Sequence, residues 1–310
     1  MLLYVAERRD FMTFEEIMNE QRTDKEIVDN LKISYLDMVD LEVCNYVSSQ
    51  LEKIDFLNSS LNVGRQISLD ELIDNSIYDM SLFGDEAQSD AFNIINRAEI
   101  YRVPEDFGFG TYLRYERDFN GDIPIFGDAK GFNIPEKLYE ISSALFSHEL
   151  VHALKDTIYY EYVYNKTLGE VIPLFYELIS NENNMLLKGE VLKLRLCYLM
   201  DNNAEYKYFS DLINDNILKY YSTLRMKTLE DIELYNFIRS RVGCYLNSYY
   251  YAIMLYRLYK ENPRDVLGYV SMVLNKEMTT FQLLSYLGIY GDIRGEIFEK
   301  EISNIKKLVK

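Results

Sequence analysis

The chain has 310 residues, 48% hydrophobic and 27% charged, which is ordinary for a globular protein and long enough for one large domain or two modest ones. A formal net charge of −17 repels nucleic-acid phosphates and anionic lipid, and no stretch reaches the roughly 20 apolar residues of a membrane helix, so neither nucleic acid nor membrane is an expected partner. The opening MLLYVAERRDF is too briefly apolar for a secretory signal, and the three dispersed cysteines (Cys44, Cys197, Cys244) form no C-x-x-C pair, so the expected address is the reducing cytoplasm.

Residues 14 to 60 read as helices, with Ile27, Leu31, Ile33, Leu36, Val39, Val43 and Val47 recurring mostly at three- and four-residue intervals. Ser68-Leu69-Asp70-Glu71 has the form of a capping box that opens another helix, and a further helix is predicted over Asp90 to Glu99. Region 101 to 135 differs, because it holds three of the five prolines and five of the 14 glycines. Phe109 to Tyr115 and Ile123 to Phe126 are predicted as short strands between turns. Pro135 suits the first turn of a helix, and the pattern is helical from Glu136 to about Tyr162. Later helices are predicted over Glu170 to Lys188, then 189–200, 205–222, 228–261, 264–275, 279–288 and 294–309.

Both histidines of the chain fall in one window, His148-Glu149-Leu150-Val151-His152, inside a predicted helix. Residues i and i+4 lie one above the other on a helix, so two imidazoles in this H-E-x-x-H spacing can reach one ion. Zinc held by three protein ligands keeps a fourth position for water and lowers the pKa of that water to about 7. Glu149 is turned aside from the ligands and is placed to act as general base toward such a water. A third ligand is required and no histidine remains. Asp156, on the same helix, is better placed to orient His152 than to ligate, which leaves Glu170, Glu177 and Glu182 on the next helix. Glu170 and Glu177 are seven residues apart and share a helix face, so one can be a ligand and the other its support.

With these residues in place the chain resembles the thimet oligopeptidase and oligoendopeptidase F metallopeptidases. They carry H-E-x-G-H on one helix and, about 25 residues later, a motif like E-x-P-S-Q-x-x-E on a second. The second helix here reads Glu170-Val171-Ile172-Pro173-Leu174-Phe175-Tyr176-Glu177. Leu283-Leu284-Ser285-Tyr286-Leu287-Gly288-Ile289 and the helix ending at Ile302 to Val309 look like the family's closing segment. The resemblance covers roughly residues 100 to 310 and implies Glu177 as the third zinc ligand. It departs from the family at Val151, in place of glycine, and at Leu174-Phe175, in place of Ser-Gln. The family's later helix supplies a histidine and tyrosines to the tetrahedral intermediate. Here Tyr249, then Tyr245, are the candidates, since a phenol can donate to a developing oxyanion.

The expected fold is therefore mainly α: a multi-helix, zincin-like metallopeptidase with a small β element near 107 to 127, forming a cleft over the zinc helix. The expected division is a helical region 1–100 and a catalytic domain 101–310, or one continuous domain. The expected activity is zinc-dependent hydrolysis of short peptides. The alternatives are a related enzyme with a dedicated protein substrate and an inactive peptidase-like protein that binds peptides.

Overall fold

The computed structural model describes residues 35–53, 60–103, 110–117, 124–155, 168–223, 243–275, 277–290 and 293–309. The predicted helical residues 14–34, 156–162 and 228–242, together with Ile27, Leu31, Ile33, Phe109 and Asp156, lie outside the described residues. Within them the protein is mainly helical.

The first described elements are α1 (Tyr35–Leu51), α2 (Leu69–Asp79), a 3-10 turn (Met80–Phe83) and α3 (Asp85–Arg97). Ser68 caps α2 as predicted, its hydroxyl accepting from the Glu71 amide at 3.1 Å. Helix α3 begins and ends earlier than expected, with Asp85 and Glu86 in its first turn and Arg97 in its last, where each complements the helix dipole. The predicted helical residue Glu99 instead opens strand β1 (Glu99–Val103). Strands β2 (Gly110–Arg117) and β3 (Pro124–Pro135) complete a three-stranded sheet of order β1-β3-β2. β3 pairs parallel to β1 and antiparallel to β2, with an irregularity between Leu113 and Tyr115.

Pro135 ends β3 opposite Val103 and does not open the next helix, which is a correction to the sequence reading. α4 spans Glu140–Lys155. The residues before it are drawn into a bridge with segment 63–67: Gln66 pairs with Tyr139, the Ile67 amide donates to the Leu138 carbonyl, and the Glu140 amide to that of Arg65. Backbone groups paired sideways in this way are not free to begin the helical ladder.

α5 (Val171–Ile179) is shorter than predicted, and Glu170 is its N-cap. Ser180 turns extended and Asn181 adopts a left-handed φ of 56°, which ends the helix well before Lys188. All nine α5 residues are buried, and Glu177 is the only ionisable one among them apart from the Tyr176 phenol. A helix apolar on every side belongs in the middle of a fold, and α5 is enclosed by α4, α6 (Met185–Thr223) and α7 (Gly243–Glu261). α6 is one 39-residue helix where two were predicted. The remaining helices are α8 (Pro263–Leu274), α9 (Thr280–Tyr286) and α10 (Gly295–Leu308). Thr279 and Gln282 form a full capping box on α9.

One continuous core runs from Val43 through Phe146, Phe175 and Tyr249 to Ile305, so residues on both sides of position 100 share it. α4 touches α2, α3, α5, α6 and both longer strands. Among the described residues no helix is long and apolar enough to cross a membrane.

Candidate metal centre

His148 and His152 leave α4 one turn apart, with ring centroids 5.0 Å from each other. Their Nε2 atoms both approach one oxygen, Glu170 Oε2, at 3.1 Å each. These three ligand atoms lie within 4.8 Å of one another, and the cluster could hold a metal ion. A tetrahedral site with bonds of about 2.0–2.1 Å separates its ligand atoms by about 3.3 Å. Two nitrogens at 3.1 Å from a carboxylate oxygen therefore already stand close to that spacing.

The structure gathers a different acid from the one the resemblance implies. Glu170, not Glu177, meets the two Nε2 atoms. Glu177 lies two turns further along α5, on the opposite side of His148, with Oε1 at 2.8 Å from Nδ1 and off the ring N–H axis. Both oxygens of Glu177 receive the Arg195 guanidinium from α6, at 2.6 and 2.9 Å. Glu182 is exposed in the turn beyond α5, where it faces Lys188 at 3.8 Å.

Charge is balanced pair by pair. Burial opposes ionisation of Glu170, yet His152 and His148 hold its carboxyl well below the usual range. Burial opposes it equally at Glu177, where Arg195 and His148 hold the carboxyl down at about 2. On His148 burial works against a proton, but Glu177 and Glu170 outweigh it and push the imidazole up to about 9. A carboxylate behind the non-ligating nitrogen is the usual support for a metal-bound histidine, because it fixes the ring and raises its basicity.

Two further contacts hold the candidate ligands in place. The Lys155 ammonium, at the end of α4, donates to the carbonyls of Leu168 (3.4 Å) and Gly169 (3.3 Å), immediately before Glu170. Asp79, the last residue of α2, accepts from Ser147 Oγ at 3.0 Å and from the Tyr176 hydroxyl at 2.6 Å. Ser147 precedes His148 and Tyr176 precedes Glu177, so this one carboxylate ties together the two helices that carry the centre.

Glu149 is half-buried beside His148. Its charge and that of Glu170 both bear on the Tyr245 phenol, which burial keeps well above its ordinary value and hence protonated. Tyr245 also lies edge-on to Tyr198 of α6, centroids 4.8 Å apart. Tyr249, the first oxyanion-donor candidate in the sequence, is not brought to the His148–His152–Glu170 cluster. One turn further along α7 it is 1% exposed, feels Glu177 and Arg195, and has no hydrogen-bond partner among the described residues. Sequence reasoning missed Arg195, Tyr198, Lys155 and Asp79. Only the lone acid of an otherwise apolar α5 could have signalled that a buried cation was needed.

No protein-family model matches the chain, and neither a curated protein nor a solved structure matches it significantly.

Proposed function

We propose that this protein is a zinc-dependent peptidase in which His148, His152 and Glu170 hold the metal and Glu149 is the general base. The observation that carries this reading is the convergence of two imidazole nitrogens on one carboxylate oxygen at 3.1 Å, with a glutamate next to the first histidine. Two imidazoles and one carboxylate are a donor set suited to zinc with one position left for water. When bound, the ion would supply a Lewis acid that polarises the substrate carbonyl and acidifies water.

The chain's own residues supply the rest. Glu149 takes a proton from the attacking water as its oxygen bonds to the carbonyl carbon, then passes it to the amide nitrogen as the C–N bond breaks. The products are a carboxylic acid and an amine. Tyr245 donates its hydroxyl hydrogen to the oxygen on which negative charge develops. Glu177, backed by Arg195, keeps His148 oriented.

The rival reading is a structural ion network, since each of these charges already has an opposite neighbour without a metal. Metal analysis of the purified protein, coupled to a fluorogenic peptide library, separates the two. About one zinc per chain with turnover is expected. Glu149→Gln should keep the metal and lose about 10²–10⁴-fold in kcat. Tyr245→Phe should lower kcat, and Tyr249→Phe should leave it near wild type. A metal-free protein, or turnover retained by Glu149→Gln, rejects the assignment.

A further inference from the structure

We infer that Tyr198 and Tyr245 form an aromatic wall beside the metal centre that receives an uncharged apolar side chain of the substrate, and that Tyr198 determines this preference. The inference deepens the peptidase reading and rests on it for the word substrate.

Tyr198 stands on α6 three residues after Arg195, so the two share a helix face. The residue is 42% exposed, although it carries a large aromatic ring. It is also held: it meets Tyr245 edge to face at 81°, with centroids 4.8 Å apart, and the Arg195 guanidinium lies 5.3 Å from its centroid. The same guanidinium is 5.6 Å from the Tyr245 ring. The same Arg195 is bound to Glu177, whose Oε1 lies 2.8 Å from His148 Nδ1, so the ring pair is joined to a candidate ligand through two side chains. A ring fixed before binding loses little conformational freedom when a ligand packs on it, which is why immobilised tyrosines serve as recognition surfaces.

The charges around the wall select the occupant. Both rings already have a cation against them, and that cation is held by both oxygens of Glu177. A substrate lysine or arginine would meet Arg195 as a like charge. A substrate carboxylate would enter a molecule of net charge −17 in which Glu177 already occupies the guanidinium beside the rings. A neutral aromatic or long aliphatic side chain meets neither penalty.

The test uses the full-length, zinc-loaded Glu149→Gln protein and matched hexapeptides that differ only in one central residue: Phe, Leu, Ala, Lys or Glu. Binding is read by calorimetry. The Phe and Leu peptides should bind about tenfold tighter than the Ala peptide, and the Lys and Glu peptides no tighter than Ala. Adding Tyr198→Ala should bring the Phe-to-Ala ratio close to one at unchanged zinc content, and adding Tyr198→Phe should preserve the ratio. A ratio indifferent to Tyr198→Ala, tightest binding by the Lys peptide, or no binding by any peptide overturns the inference. Hydrolysis by the wild type is scored separately. No turnover with the ratio intact rejects the peptidase reading alone, and turnover with a ratio that ignores Tyr198 rejects the wall alone.

Discussion

Glu170 and Glu177 are separated by seven residues and have different neighbours. The sequence places them on one helix face but gives no account of what meets each. Their difference is made by Arg195, which comes from α6 and occupies both oxygens of Glu177, leaving Glu170 for the Nε2 atoms. His148, Glu149 and His152 were legible because their relation lies within one helix turn, whereas the third ligand depends on tertiary placement. Asp79 shows the same limit. It is half-buried against Ser147 and Tyr176, and desolvation raises its carboxyl above the ordinary value of 3.8 despite both donors. The folded protein then binds this proton more tightly than the unfolded chain, so the group's contribution to stability falls as pH rises above 3.8. Asp79→Asn keeps an acceptor and removes the charge. Its stability relative to wild type should improve as pH rises above 3.8 in urea titrations. A difference that does not change with pH would contradict this account.

Helix identity was readable from apolar periodicity, and helix boundaries were not. α4 starts at Glu140 because residues 138 to 140 are bonded to segment 63–67, and α5 stops at Ile179 because Asn181 turns left-handed. Neither cause is local to the helix pattern from which the boundary was predicted. Segment 63–67 itself depends on Gly64, whose φ is +79° and whose absent Cβ would lie 2.8 Å from Glu140 Cβ. Gly64→Ala combines a disfavoured backbone angle with a clash at the first residue of α4. It should cost roughly 1–3 kcal/mol by chemical denaturation. A variant as stable as wild type would show that the 63–67 bridge does not constrain α4.

Across the whole molecule, the mainly α architecture and the small sheet ahead of α4 followed from composition and patterning. The single core spanning residue 100 was one of two alternatives the sequence left open, because it is built from contacts between distant segments. The ligands of the proposed centre come from α4 and from the N-cap of α5, so an ion would cross-link two elements and bind the native state alone. At a concentration about a thousandfold above Kd it should add roughly 4 kcal/mol, a rise in Tm of roughly 8 °C. Calorimetry with and without chelator measures this, and Glu170→Ala should abolish the difference. An identical Tm in both conditions counts against a native-state metal.

α6 is 39 residues long, or about 58 Å at 1.5 Å per residue. Near one end Gly189 lets it lie close to α10, where an added Cβ would be 2.9 Å from the Leu308 carbonyl oxygen. Six residues on, the same rod delivers Arg195 to Glu177, and three residues later it presents Tyr198. Whatever seats or unseats α10 therefore sets the axial position of the guanidinium beside Glu177 and, through it, His148. Remote changes near the carboxyl terminus should thus be felt at the centre as errors of alignment, with no altered residue touching it.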